Sequence, residues 1–137
     1  MTTFSAMDIG RTGVGFAHHW IDTIAHNVAN ANTTTNPGDE PFRAIRPIAQ
    51  TQGGGPFAET GSGVRVGAIV REEGEAPLAH DPTNPLADED GYVAKPLVDM
   101  GGQMVDMMIA QRGYQANLST VKSAHEAYQA ALQLGGR

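Results

Sequence analysis

Residues 5–31 of the chain read SAMDIGRTGVGFAHHWIDTIAHNVANA. Apolar or small residues recur in this stretch at alternating steps of three and four, which predicts an amphipathic helix that packs against another helix. The positions are Met7, Gly10, Val14, Ala17, Ile21, Ile24, Val28 and Ala31. Ser5 and Asp8 have the spacing of a capping box, which places the predicted start at Ser5. Gly10, Gly13 and Gly15 each cost about 1 kcal/mol relative to alanine, so this helix should need a partner.

A second helical pattern of the same kind follows Asp99, which we expect to be its N-cap. Its repeating positions are Met100, Met104, Met107, Gln111, Tyr114, Leu118, Val121, His125, Tyr128 and Leu132. Gly135-Gly136 is the expected stop, so the helix should be roughly 50 Å long at 1.5 Å per residue. Two helices cannot cover both apolar faces by pairing only with each other. The pattern therefore predicts an antiparallel, coiled-coil-like pair whose remaining apolar surface is buried by other subunits.

The segment between the helices differs in composition and holds most of the prolines. Val64, Val66, Ala68 and Val70 alternate with other residues, which predicts a strand with one more buried face. Weaker strand predictions cover 42–48 and 92–95, and turns are predicted at 53–56, 81–85 and 88–91. The fold class is thus mainly α with a β-containing insertion. Residues 1–32 and 100–137 should form an inner, helical domain, and 33–99 an irregular β insertion.

Charge and composition exclude several classes of protein. The formal net charge of −6 lacks the basic field that nucleic-acid binding requires. With no cysteine, the chain offers neither disulfides nor thiolate metal ligands. No run approaches the roughly 20 apolar residues of a membrane span, so membrane insertion is not expected. Residues 1–5 lack the pattern of a cleaved secretory signal.

The histidines are the main candidates for chemistry. His18, His26 and His125 could belong to a small metal-binding enzyme, which is the alternative hypothesis. On a helix, however, only Asp22 stands at a useful step from His18, and the motif that begins at His125 lacks its second metal ligand. Residues 88–91 resemble a fragment of a calcium loop without its closing ligands. We therefore predict no enzyme activity, no metal and no cofactor.

Two motifs carry a resemblance to a known family. The run Asn27-x-x-Asn30-x-Asn32-Thr33 is similar to the signature that follows the first helix of flagellar rod and hook proteins. Residues 112–118, RGYQANL, resemble the motif of the C-terminal helix in the same family. Between them, residues 81–94 resemble the short insertion of the proximal rod members. The likeness covers nearly the whole chain, in order.

The resemblance implies a structural subunit of the flagellar basal-body rod, whose terminal helices form an inner tube. Its implied partners are copies of itself, the other proximal rod subunit, the distal rod, the rod-base adaptor and the flagellar type III export apparatus. Such subunits are exported without a cleaved signal and act in the rod that crosses the periplasm. A different rod subunit of the same axial family is a further alternative.

The expected assembly residues fall into two sets. Packing contacts are predicted for Val14, Ile21, Ile24, Val28, Tyr114, Leu118, Val121 and Tyr128. Hydrogen bonds that fix helix ends or subunit register are predicted for Asn27, Asn30, Asn32, Arg112 and Asn117.

Overall fold

The computed structural model describes residues 3–53 and 61–135. Along the described part of the sequence, one long helix precedes four short strands and a second long helix follows them. The elements are α1 (Thr3–Ala29), β1 (Ile45–Thr51), β2 (Val64–Arg71), β3 (Leu78–His80), β4 (Tyr92–Ala94) and α2 (Met100–Gly135). The fold class predicted from the sequence is confirmed. Most of the turn predicted at 53–56, and Gly136 of the predicted helix stop, lie outside the described residues.

The predicted start of α2 agrees with the structure, whereas the predicted start of α1 does not. Asp99 is the N-cap of α2, as predicted, because its Oδ1 accepts a hydrogen bond from the Gly101 N–H at 3.0 Å. The capping box at Ser5 is wrong, since α1 already begins at Thr3 and contains Ser5. A serine caps a helix only where the backbone leaves the helix, and no glycine or proline precedes Ser5 to interrupt it.

The helices pack antiparallel and approach each other closely. Asn27, near the end of α1, bonds to Gln103 at the start of α2, whereas Gly10 lies against Val121 further along α2. A Cβ added at Gly10 would stand 2.7 Å from Val121 Cγ2, and one at Gly13 would stand 2.5 Å from Asn117 Oδ1. The short distance between the helices, not backbone conformation, therefore favours glycine at position 10, whereas a Cβ at Gly13 would displace the end of the Asn117 side chain.

The insertion consists of two antiparallel two-stranded sheets. Strand β1 pairs with β2, so that Ile45 lies opposite Arg71, and an irregularity falls between Ile48 and Ala49. Strand β3 pairs with β4. One isolated β-bridge joins Thr35 to Ala94 of β4, and another joins Arg43 to Leu97.

The strand predictions were partly correct. The strand at 64–70 is confirmed, but only Val64 and Val66 are partly buried, while Ala68 and Val70 are exposed. The predicted 42–48 strand starts later, at Ile45, and β3 was not predicted. Helix α1 bonds to both ends of this sheet. The Val64 N–H donates to Thr12 Oγ1 at 3.0 Å, and the Asn27 side chain bonds to both backbone groups of Ile45, which lies opposite Arg71.

Burial is limited in both parts of the molecule. The fully buried apolar residues are Ala17, Ile24 and Ala110 between the helices and Ala44, Val93 and Ala94 in the insertion. The 14.4 kDa chain exposes 9434 Å². A compact monomer of that mass exposes about 6,800 Å². Much of the surface therefore remains available to other molecules.

Candidate assembly surface

The surface between the two helices, which we call the inner seam, is built from small and polar side chains. On α1 it comprises Gly10, Gly13, Ala17, Ile24 and Asn27, and on α2 it comprises Gln103, Ala110, Asn117 and Val121. Ile24 is the only large apolar side chain of this set that is fully buried, at 2% exposure. The inner seam therefore gains its contacts from close backbone approach more than from bulky side chains.

Asn27 is the polar centre of the inner seam and is 1% exposed. Its Nδ2 donates to the Ile45 carbonyl at 2.8 Å and to Gln103 Oε1 at 2.9 Å. Its Oδ1 accepts from the Ile45 N–H at 3.0 Å. One side chain thus joins α1, β1 and α2, and satisfies both backbone groups of a strand residue at the start of the hairpin.

The other predicted hydrogen-bonding residues have more local surroundings. Asn30 Nδ2 donates to the His26 carbonyl at 2.9 Å and so caps the last turn of α1. Asn117 Nδ2 donates to the Gly113 carbonyl at 2.8 Å. The side chains of Asn32 and Arg112 are exposed and bond to no other described residue. No residue other than glycine has a positive φ in the described ranges, so these asparagines do not serve a left-handed turn.

Only part of the apolar face predicted for α2 lies against α1; Val121 of that face contacts α1 at Gly10. Gln103 and Ala110 are buried, whereas Met104, Gln111 and Leu118 of the predicted face are exposed. Gln103 and Ala110 of the inner seam lie one residue before Met104 and Gln111 of the predicted face, roughly 100° around the helix. The glycines of α1 leave room for Asn117 and Val121, so the inner seam includes polar as well as apolar residues of α2.

Apolar residues of the two predicted helix faces that lie outside the inner seam form a second surface, which we call the outer stripe. It comprises Val14, Ile21 and Val28 on α1 and Met104, Leu118 and Leu132 on α2. Val28 is 41% exposed, Leu118 43% and Met104 63%, while Val14 and Ile21 are partly buried. Tyr114 and Tyr128, also predicted as contacts, are partly buried. In the antiparallel pair Val14 stands level with Leu118, and Val28 level with Met104, so the stripe continues across both helices.

A third surface is an apolar groove on the other flank of the pair. It is a cleft of about 460 Å³ whose walls include Ile9, Phe16, Trp20, Val64 and Ile109. The rings of Phe16 and Trp20 lie 6.2 Å apart at an angle of 51°. Trp20 Nε1 is shut off from solvent and has no acceptor among the described residues. Sequence reasoning missed this groove; the i, i+4 spacing of two aromatics was the signal that could have indicated it.

The histidines do not converge. His18 Nε2 lies 3.5 Å from Asp22 Oδ2, His26 packs its ring against Phe42, and His125 contacts Gln129 on α2. Within residues 3–53 and 61–135 no three side chains of the His, Cys, Asp or Glu type come together as metal ligands.

The acidic turns of the insertion are held by their own carboxylates. Asp88 Oδ1 accepts from the Asp90 and Tyr92 N–H groups at 3.1 and 2.7 Å. The Thr83 hydroxyl donates to Asp81 Oδ1 at 2.9 Å, and this hydrogen bond lowers the pKa of the Asp81 carboxyl. These carboxylates order local turns, which matches the turns predicted at 81–85 and 88–91.

Comparisons with known proteins agree with the architecture. The family model of the flagellar basal body rod FlgEFG protein C-terminal region matches residues 89–134. The flagellar basal-body rod protein FlgC of Salmonella typhimurium is 38% identical over 126 residues, which cover 90% of this chain and 92% of that protein. The FlgC proteins of Yersinia enterocolitica and Borreliella burgdorferi are 36% and 31% identical, each over 98% of this chain. The matched regions cover 99% and 98% of those two proteins.

Neither described helix is both long and apolar enough to span a membrane.

Proposed function

This chain belongs to the flagellar basal-body rod protein FlgC family, and we propose that it polymerises into the rod through the outer stripe of its terminal helices. It is a structural subunit of the proximal rod of the flagellar basal body. Its task is mechanical, because a rod subunit contributes by holding its neighbours in a fixed arrangement.

The exposure of the outer stripe is the observation that carries this proposal. Met104 and Leu118 are large apolar side chains, 63% and 43% exposed, on helices whose mutual interface is filled by glycine, alanine and asparagine. Burying apolar area stabilises an assembly by about 25 cal/mol per Å². A stripe of this kind along two helices is typical of a surface covered by another subunit.

The domain arrangement follows from the same distribution. We place residues 1–32 and 100–137 in the inner part of the rod, because the outer stripe lies on these helices. The insertion, 33–99, faces outward, since its turns carry acidic side chains such as Asp88 and Asp90 and its β2 strand exposes Arg65 and Arg71. Charged side chains are stable against water and costly in a packed tube.

The partners follow from membership of the rod. Copies of this chain and other rod proteins pack against the outer stripe; these include the other proximal subunit, the distal rod and the rod-base adaptor. The flagellar type III export apparatus delivers the chain to the periplasm-spanning rod without a cleaved signal. The glycines of α1 support such a route, because a helix with weak intrinsic stability unfolds readily before assembly.

We propose that the subunit acts without catalysis, metal or cofactor. The competing hypothesis is a metal-dependent enzyme that uses His18, His26 or His125. Stoichiometric zinc binding by the purified chain, lost when His18 and His26 are both replaced by alanine, would support it. The separate surroundings of these side chains give it no support.

The proposal is tested in a strain that lacks the gene, complemented with the chain or with Met104→Glu. Met104 is exposed, so the variant should fold, which circular dichroism of the purified chain would check. Its charge should prevent rod assembly and motility. Ser119→Glu adds the same charge about 100° from the stripe on α2 and should assemble normally. Swimming by cells that carry Met104→Glu, with rods in their isolated basal bodies, would contradict the proposal.

A further inference from the structure

The apolar groove is a surface that the outer stripe does not use. Ile9, Phe16 and Trp20 recur on one side of α1, whereas Val14 and Ile21 lie at least 100° around the helix. All of the side chains that line the groove are uncharged, in a chain with 24 charged residues (9 basic and 15 acidic).

No described side chain fills the space beside Gly113 in the groove. Gly113 lies in its wall, and a Cβ added there would meet no atom within 4 Å. Ala17, Ala110 and Gly13 add further small side chains to the lining. From Ile9 to Trp20 the groove runs about 16 Å along α1, long enough for two to three turns of another helix.

No described residue covers the C-terminal end of α2. The antiparallel register pairs Asn27 with Gln103 and Gly10 with Val121, so the start of α1 at Thr3 stands level with residues near Tyr128. Residues 129–135 therefore extend beyond α1 by about 10 Å. All of them are exposed, and Leu134 is 80% exposed.

The overhanging end matches the groove in size and chemistry. Residues 129–135, QAALQLG, carry no charge. Ala130 and Ala131 precede Leu134 by four and three residues and so share its face of the helix. This face carries one large apolar side chain beside small ones, which fits a groove that combines aromatic and aliphatic residues with glycine and alanine.

The end of α2 cannot reach the groove of its own molecule. Gly113 and Leu134 are on the same straight helix, roughly 30 Å apart. We propose that the apolar groove receives residues 129–135 of a second copy of this chain, with Leu134 filling the space beside Gly113 and Phe16. The contact joins two different surfaces, so it repeats from copy to copy, in a ring or an open helical array, instead of forming a two-fold dimer. The inference rests on the proposed rod function and names one specific contact within it.

Cysteine crosslinking tests the contact directly, because the native chain contains no cysteine. Two singly substituted full-length chains, Phe16→Cys and Leu134→Cys, are produced together in the strain that lacks the gene. Basal bodies are isolated and oxidised, and the dimer is measured on a non-reducing gel. Gly15→Cys and Gln133→Cys are matched controls, since each is adjacent in sequence but about 100° away on its helix.

A crosslinked dimer is expected only for the combination of Phe16→Cys with Leu134→Cys. The proposal would be overturned if the control combinations gave the same amount of crosslinked dimer, or if Phe16→Cys crosslinked solely to a different rod protein. If the wild-type chain forms rods and restores motility while the crosslinking fails in this way, only this contact is rejected and the rod function stands.

A second variant blocks the groove without weakening the helix. Gly113→Leu should fill the open space and raise helix propensity, so the purified chain should remain folded while rod assembly is lost. Gly15→Leu makes the same replacement at another open helical position outside the groove and should assemble. Normal rods with Gly113→Leu would overturn the proposal.

Discussion

The inner seam and the outer stripe lie on the same two helices but have opposite compositions. The inner seam brings Gly10 and Gly13 against Asn117 and Val121, and its centre is the buried amide of Asn27. The outer stripe carries Leu118 and other large apolar side chains that remain accessible. In a protein that acts alone the larger apolar residues would be expected inside.

This reversal supports the proposal that the outer stripe is buried by other subunits. Small residues allow two helices of one subunit to form a thin, close pair. The apolar side chains are then available for contacts between subunits, where each buried methylene contributes about 0.8 kcal/mol. The polar bonds of Asn27 fix the register of the pair, a role for which a buried polar group is suited.

The largest expected effect comes from charging the outer stripe. Leu118→Asp should abolish rod assembly, because an unpaired charge in a packed interface costs several kcal/mol. The purified variant should unfold at nearly the same temperature as the wild-type chain, since Leu118 is 43% exposed within one subunit. Electron microscopy of basal bodies and thermal denaturation measure the two effects. Ser119→Asp is the control, and normal motility with Leu118→Asp would remove the distinction between the two surfaces.

Removing the polar centre of the inner seam should destabilise the subunit itself. Asn27→Ala leaves Ile45 and Gln103 without their partners, and we expect the free energy of unfolding to fall by about 3 kcal/mol. Urea denaturation of the purified chain measures it. Asn32→Ala, at an exposed side chain, should change stability by less than about 0.5 kcal/mol. Equal effects of the two substitutions would show that the Asn27 bonds do not hold the pair together.

Two glycines of α1 should respond in opposite directions. Gly10→Ala places a Cβ 2.7 Å from Val121 Cγ2, and the overpacking should exceed the gain in helix propensity, for a net loss of about 1–2 kcal/mol. Gly15→Ala meets no atom within 4 Å and should stabilise α1 by up to about 1 kcal/mol. Thermal denaturation of both variants gives the signs. A gain at both positions would mean that the helices are not held at this close distance.

The smallest effect is expected at the start of α2. Asp99→Ala removes the acceptor of the Gly101 N–H and should cost about 1 kcal/mol of stability, whereas Asp99→Asn should retain most of it. Circular dichroism during urea denaturation measures the difference. A loss with Asp99→Asn as large as that with Asp99→Ala would show that hydrogen-bond capping is not the cause.

Sequence reasoning predicted the elements of the fold better than their orientation. The two helices, the N-cap at Asp99 and the strand at 64–70 follow from local patterns of capping and periodicity, and they are confirmed. The start at Ser5 and the extent of the buried strand face were wrong, and the local pattern did not indicate which face of α2 meets α1. Strand β3 was missed because three residues are too few to show a period. The assembly roles of the predicted residues remain predictions.

The sequence by itself determined two long terminal helices, an irregular β insertion and the motifs of a rod-protein family. These depend on local spacing, which is visible along the chain. Only the tertiary structure decided which helical faces meet. Hydrophobic periodicity identifies the most apolar stripe, but the inner seam was selected by how closely the backbones approach, and glycine carries no apolar signal. Asn27 joins residues 18 and 76 positions away, a relation that no local pattern contains.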